Sequence, residues 1–229
     1  MKSHTENHLT SSQFITDIVI GMSDGLTVPF ALAAGLSSAV SSSAVVTTAG
    51  IAEIVAGSIA MGLGGYLAGQ TEAEHYRAEL KREYDEVERV PEKEEEEIRE
   101  IFAEIGLSKT SQDLIVSELT KDKKKWVDFM MKFELGLEEP DSNQAGKSAL
   151  TIGLAYAIGG IIPLMPYFFT ETAHQGLLYS AITTIICLFI FGFLKSKITG
   201  QNPWIGALKV VAIGTVAAGA AFWVAKLIG

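Results

Sequence analysis

The sequence predicts an all-α membrane protein: five transmembrane helices, with a cytosolic helical domain inserted between spans two and three. Three observations lead there. Nearly all charge is confined to residues 69–147. The stretches on either side read as apolar runs of about the 20 residues that a helix needs to cross a bilayer. The Lys and Arg residues also fall where loops on a single side of the membrane would lie.

The elements follow in order. Residues 1–12 are polar and lack the basic, apolar, small-residue order of a cleaved signal, so the first span is expected to remain in place. The first apolar run covers residues 14–40 and the second 44–69, with the serine-rich stretch 37–43 between them as a short turn, which makes a helical hairpin. Neither Gly nor Pro occurs between Gly69 and Pro91, so the second span is free to continue as a polar helix reaching on the order of 30 Å into the cytosol. Pro91 ends that helix and opens the next, 92–105, which stops at Gly106. A third helical stretch starts at Ser111, and Trp126, Phe129, Met130 and Phe133 give an apolar face to a fourth that runs to Gly136 and Pro140.

Three apolar runs complete the chain, at 145–169, 175–194 and Pro203–Ile228. Pro163 and Pro166 are expected to kink or end the first of them. The domains are therefore 1–69 with spans one and two, 70–144 as the cytosolic metal-binding domain, and 145–229 with spans three to five. Short loops rich in Lys and Arg stay cytosolic. With the middle domain inside, Lys2, Lys195 and Lys197 are inside too, while the loops near Ser41 and Glu171 carry no Lys or Arg and Lys226 alone lies near the outer face. This gives the N-terminus in and the C-terminus out.

Composition narrows the function. The 229 residues are 48% hydrophobic, with a mean hydropathy of +0.28. The formal charge of −9 comes from a glutamate-rich middle, which argues against nucleic acid as a partner. The single cysteine, Cys187, sits in an apolar run, so no disulfide framework or cysteine zinc site forms within one chain. A phosphate-binding GxxxxGK[ST] loop is missing.

Acids deep in a span are the strongest chemical signal, because a carboxylate in hydrocarbon costs several kcal/mol unless it faces a partner or a watery path. Asp24 and Glu53 are read as two such acids. At about 1.5 Å per residue, Asp24 lies roughly 15 Å and Met61 roughly 12 Å from the inner ends of their helices. Glu53 stands two turns further toward the outer side, so the three form a ladder for a cation. The competing reading makes the acids helix-to-helix hydrogen-bonding groups and Met61 packing. Glycines crowd these helices, as any closely packed bundle requires.

In the central domain Glu83 and Glu86 are three residues apart, as are Glu94 and Glu97, so each pair projects from one helical face. Brought together by the turn at Pro91 and joined by Glu134, they would make a cage of hard oxygen ligands suited to Fe²⁺, Mn²⁺ and similar ions. The bland alternative is a solvated charge run over 92–100. The histidines His4, His8 and His75 are read as surface residues.

The wording of the chain adds to its spacing. The stretches HTENHLTSSQFITDIVIGMSDGLTVPFALAAGLS, TAGIAEIVAGSIAMGLGGYLAGQTEAEHY and WVDFMMKFELGLEEPD closely resemble the vacuolar iron transporter family of plants and its microbial relatives. The resemblance implies a homodimer of five-span subunits that exchanges cytosolic Fe²⁺ for protons. It implies a membrane path through Asp24 in SDGL, Glu53 in GIAEIV and Met61 in AMGLGG. It also implies a cytosolic metal site of Glu83 and Glu86 in KREYDEVE, Glu94 and Glu97 in EKEEEE, and Glu134 in KFELGLE, with Met130 and Met131 nearby. The four consecutive glutamates 94–97 leave that register open by one.

The expectation is a transporter, not an enzyme. It would hold no permanently bound cofactor and carry Fe²⁺ as substrate, with Mn²⁺, Co²⁺, Ni²⁺ or Zn²⁺ able to substitute. Its partners are the lipid bilayer, divalent metal ions and protons. The membrane is vacuolar in a eukaryote and the plasma membrane in a bacterium. Two rivals stand beside it: a membrane-anchored carboxylate-bridged di-metal oxidase, and a metal sensor. Paired glutamates on helices fit the oxidase, but the Glu-x-x-His spacing typical of such sites is read as missing.

Overall fold

The computed structural model describes residues 13–228. Its described residues are helical apart from connecting turns and one isolated bridge, Ser42 to Thr172. Helix α1 spans Gln13–Ala39 and α2 Ser43–Arg89. Helices α3 (Pro91–Glu104), α4 (Lys109–Leu119) and α5 (Lys123–Phe133) follow. Then come α6 (Gln144–Leu164), a short 3₁₀ turn Met165–Phe169, α7 (Ala173–Ile198) and α8 (Pro203–Ile228). Five of these segments are long and apolar enough to cross a membrane: α1, α2, α6 with its 3₁₀ turn, α7 and α8.

The chain divides into two compact units, one made of residues up to Leu67 and from Ala145 onward, the other Ala68–Gln144. In the first unit α1 packs on α7 and α8, and α7 packs on α8. Helix α7 reveals what solvent this unit expects. Its buried residues recur every fourth position as Gly176, Ser180, Thr184, Leu188, Gly192 and Ser196. Its outward face carries Leu178, Ile182, Ile186, Ile190 and Leu194. Small and hydroxyl-bearing residues inside with branched aliphatics outside reverse the pattern of a water-soluble helix, and suit one packed against helices on one face and lipid on the other.

Proline governs the third apolar segment as its spacing requires. Helix α6 tightens into the 3₁₀ turn after Leu164, with Pro163 at its end and Pro166 inside the turn. The Pro163 carbonyl at that transition accepts a hydrogen bond of 2.6 Å from the Ser180 hydroxyl of α7. A neighbouring helix thus satisfies a backbone group that water cannot reach. The α1–α2 turn and the loop before α7 are tied by backbone bonds from Ser43 N–H to the Glu171 carbonyl (3.3 Å) and from Ala173 N–H to the Ser41 carbonyl (2.9 Å).

The second unit has its own core of Val87, Ile98, Val116, Trp126, Val127, Met130 and Met131. Gly106, at φ +87°, ends the α3 segment, and Gly136, at φ +64°, follows α5. Two local expectations need correction. Helix α4 begins at Lys109, because Ser108 rather than Ser111 is the N-cap and its hydroxyl accepts from the Ser111 N–H at 3.4 Å. Phe133 does not face the core. It is 58% exposed and leans on Phe129 with ring centroids 4.8 Å apart, while Val127 and Met131 complete the buried face instead.

Candidate functional site

The second unit gathers acids from three helices. Glu83 lies near the end of α2, Glu94 one turn into α3, and Glu134 caps the end of α5. One carboxylate oxygen from each lies within 4.8 Å of the others. Glu83 is 2% and Glu94 1% exposed, whereas Glu134 opens to solvent. Glu83 Oε2 and both oxygens of Glu94 are buried without a hydrogen-bond partner. Pro91 causes this convergence, since the break after Arg89 turns α3 so that acids eleven residues apart meet.

Such a cluster is unfavourable alone. Two ionised carboxylates about 4 Å apart repel by about 4 kcal/mol at an effective dielectric of about 20. Burial first, then the charges of Glu134, Glu94, Glu86 and Glu97, push Glu83 from 4.5 up to about 7. Burial, then Glu97, Glu134 and Glu86, raise Glu94 to about 7 as well. Glu134 is also raised, by burial and then Glu97, with Lys93 opposing. A divalent cation replaces this repulsion with attraction to every oxygen, and carboxylate oxygen is a fitting donor for Fe²⁺ or Mn²⁺.

Glu86 and Glu97 stand at the rim. Glu86 Oε1 accepts from Arg82 at 3.2 Å and Glu97 Oε1 from Lys93 at 2.7 Å. Met130 and Met131, 0% and 2% exposed, belong to the core cluster, and Met130 lies one turn before Glu134. Within the run 94–97, Glu94 is the buried member and joins the convergence, while Glu95 and Glu96 bind Arg99. The Glu-x-x-His spacing, expected to be missing, does occur twice in the chain, from Glu72 to His75 in α2 and from Glu171 to His174 at the start of α7, and all four residues are exposed. His4 and His8 lie outside the described residues.

In the first unit Asp24 and Glu53 are both partly buried, on α1 and α2. A residue that the sequence reading passed over joins them: the Tyr156 hydroxyl of α6 donates a hydrogen bond to Glu53 Oε1, and Glu53 Oε2 is buried with no partner. Asp24 is close enough for its charge to act on the same hydroxyl. Met61 is half-buried, eight residues beyond Glu53 on α2. Pro29 carries no N–H, so the Gly25 carbonyl beside Asp24 lacks its helical partner. A further acid, Asp17, lies one turn into α1, where it is 1% exposed and accepts from Gln13 at 3.0 Å. Lys209 adds a further charge inside α8. Both lie within two turns of a helix start, where an apolar-run count does not register them.

Five apolar helices with buried acids, accompanied by a helical unit built around converging carboxylates, define a polytopic α-helical membrane protein. Residues 15–226 match the VIT family, and the chain belongs to that family. It is 51% identical over 226 residues to the vacuolar iron transporter of Centaurea cyanus, spanning 99% of this chain and 92% of that protein. It is 50% identical over 225 residues to vacuolar iron transporter 1 of Arabidopsis thaliana, covering 98% and 90%. Protein CCC1 of Saccharomyces cerevisiae is 41% identical over 227 residues, covering 94% of this chain and 69% of that protein.

Proposed function

We propose that this protein carries Fe²⁺ out of the cytosol in exchange for protons, as a homodimer, with Mn²⁺, Co²⁺, Ni²⁺ or Zn²⁺ accepted in place of iron. The unit Ala68–Gln144 and the N-terminus face the cytosol, and the membrane is the vacuolar one, or the plasma membrane if the cell is bacterial. The observation that carries this reading is the carboxylate convergence of Glu83, Glu94 and Glu134, with buried oxygens that have no protein partner. About half of all residues are shared with proteins named vacuolar iron transporters, which supports iron as the cargo.

In this mechanism Glu83, Glu94 and Glu134, flanked by Glu86 and Glu97 and backed by Met130 and Met131, collect the metal. Asp24, Glu53 and Met61 pass it through the membrane. Metal binds the ionised carboxylates, so loading releases protons, and a more acidic far side returns protons to the same oxygens and frees the metal.

Reconstituted protein in proteoliposomes tests this. Fe²⁺ uptake should accelerate when the lumen is made acidic, and uptake indifferent to the pH difference would remove proton exchange. Asp24→Ala should abolish uptake in a folded chain, and ordinary uptake would remove Asp24 from the path. Oxygen consumption on addition of Fe²⁺, with no flux, would favour the oxidase instead.

A further inference from the structure

The proposed path takes its groups from α1 and α2, whereas the geometry brings in a third helix. We infer that Tyr156 of α6 is a positioning residue of that path: its hydroxyl fixes the Glu53 carboxylate by Oε1 and so presents Oε2 to the cation. The inference rests on the path reading above.

The setting of Tyr156 is more rigid than helix packing alone requires. The residue is 2% exposed. On one side its backbone meets α1 so closely that a Cβ on Gly25 would overlap the Tyr156 carbonyl, and a Cβ on Gly21 would reach the Ile152 carbonyl one turn earlier. On the other side its ring and hydroxyl occupy the notch left by Gly57 on α2, where a Cβ would come within 2.5 to 2.6 Å of them. The residue is therefore held tightly between α1 and α2. A buried tyrosine hydroxyl finds a polar partner, and a backbone carbonyl would serve for packing alone. Here the partner is the one acid of α2 that lies inside the apolar stretch.

The second oxygen completes the argument. Glu53 Oε2 is buried with no hydrogen-bond partner. Leaving an acceptor of this kind unsatisfied is unfavourable, and more so for a charged group. A carboxylate clamped at one oxygen and bare at the other is arranged to receive a cation, and Asp24 adds its charge within electrostatic reach of the clamp. Without the hydroxyl, the flexible glutamate side chain can turn away and must be reordered at each binding event.

The test is a double-mutant cycle on the full chain in proteoliposomes, following uptake of Co²⁺, which does not oxidise during the assay. Tyr156→Phe removes the hydroxyl and leaves the ring in its notch. The expected result is a KM for Co²⁺ raised about tenfold, the scale of a hydrogen bond to a charged group, with Vmax falling by less than KM rises. In an E53Q background the same change should have no further effect beyond about twofold, because the two residues act as one unit.

A KM unchanged in Y156F overturns the inference, and so do additive effects of Y156F and E53Q, the pattern of two residues acting independently. Should Y156F not fold, Glu53→Asp reads the same contact from the other side by withdrawing the carboxylate one methylene from an intact Tyr156. Its KM should rise similarly, and a wild-type KM there also overturns the inference. If E53Q itself carries Co²⁺ normally, the path reading falls and takes this inference with it. An impaired E53Q beside a normal Y156F removes Tyr156 alone.

Discussion

At Glu94 both carboxylate oxygens are buried without a hydrogen-bond partner, and oxygens of Glu83 and Glu134 stand within 4.8 Å. Only a proton or a cation relieves such an arrangement, so the two compete. Glu94→Gln removes one ligand and one repelling charge together. Metal affinity of the whole protein should fall at least tenfold by calorimetric titration with Co²⁺, while in chelator the melting midpoint should rise, by about 2–4 °C for each kcal/mol of repulsion removed. A variant that loses both affinity and metal-free stability would instead point to ordinary packing damage. The pH dependence has a definite sign. The fold raises Glu83 and Glu94 from 4.5 to about 7, so it favours their protonated forms. The stability they contribute is full below about pH 4.5 and is lost as pH rises through about 7. In chelator the melting midpoint should therefore drop between pH 5 and 8. Co²⁺, which binds the ionised forms, should restore it at pH 8 and do little at pH 5. The E83Q/E94Q double variant should flatten both trends.

Elements depend on contacts that single-residue chemistry does not convey. Gly25→Ala sets a methyl group against the Tyr156 carbonyl, where backbone on both sides prevents retreat, whereas a Cβ at Gly219 of α8 meets nothing within 4 Å. Folded yield in detergent should collapse for the first and hold for the second. Ser108→Ala removes the α4 cap and should cost about 1 kcal/mol, read as faster hydrogen exchange confined to the first turn of that helix. These contacts also explain what the sequence could and could not disclose. The apolar segments were legible because a bilayer demands length, and Pro91, Pro163, Gly106 and Gly136 punctuate helices by their own geometry. The acids at 83, 94 and 134 are expected from the sequence as part of one cage, but which member of the run 94–97 faces inward is not legible there, since the backbone after Pro91 decides it. Ser108 and Ser111 are equivalent caps on paper, and only the backbone distinguishes them. Tyr156 is hard to single out, because an aromatic in an apolar run reads as packing until its hydroxyl is found on Glu53. A polar-tipped aromatic flanked at four-residue spacing by small residues on a neighbouring span is the one pattern that would have flagged it.

For the whole molecule the decisive question is orientation, because export from the cytosol requires the collecting acids to face it. Thirteen of the 18 Lys and Arg residues fall between Arg77 and Lys147, with Lys195 and Lys197 at the end of α7, while the Ser41 and Glu171 loops hold none. Cationic loops resist translocation, and an odd number of spans then sends the two termini to opposite sides. The backbone bonds joining the turns at Ser41 and Glu171 agree, since loops that pair directly belong on one side of the membrane. Cys187, the single cysteine, lies within α7 and is removable by Cys187→Ser. In that background a cysteine at the exposed Ser117 of α4 should react with a membrane-impermeant maleimide only when the cytosolic face is open. One at the exposed Ser41 should react only from the opposite face. If both label from the same side, an even number of crossings separates them. The carboxylate cluster would then share a compartment with the Ser41 turn, and the direction assigned to iron would lose its basis.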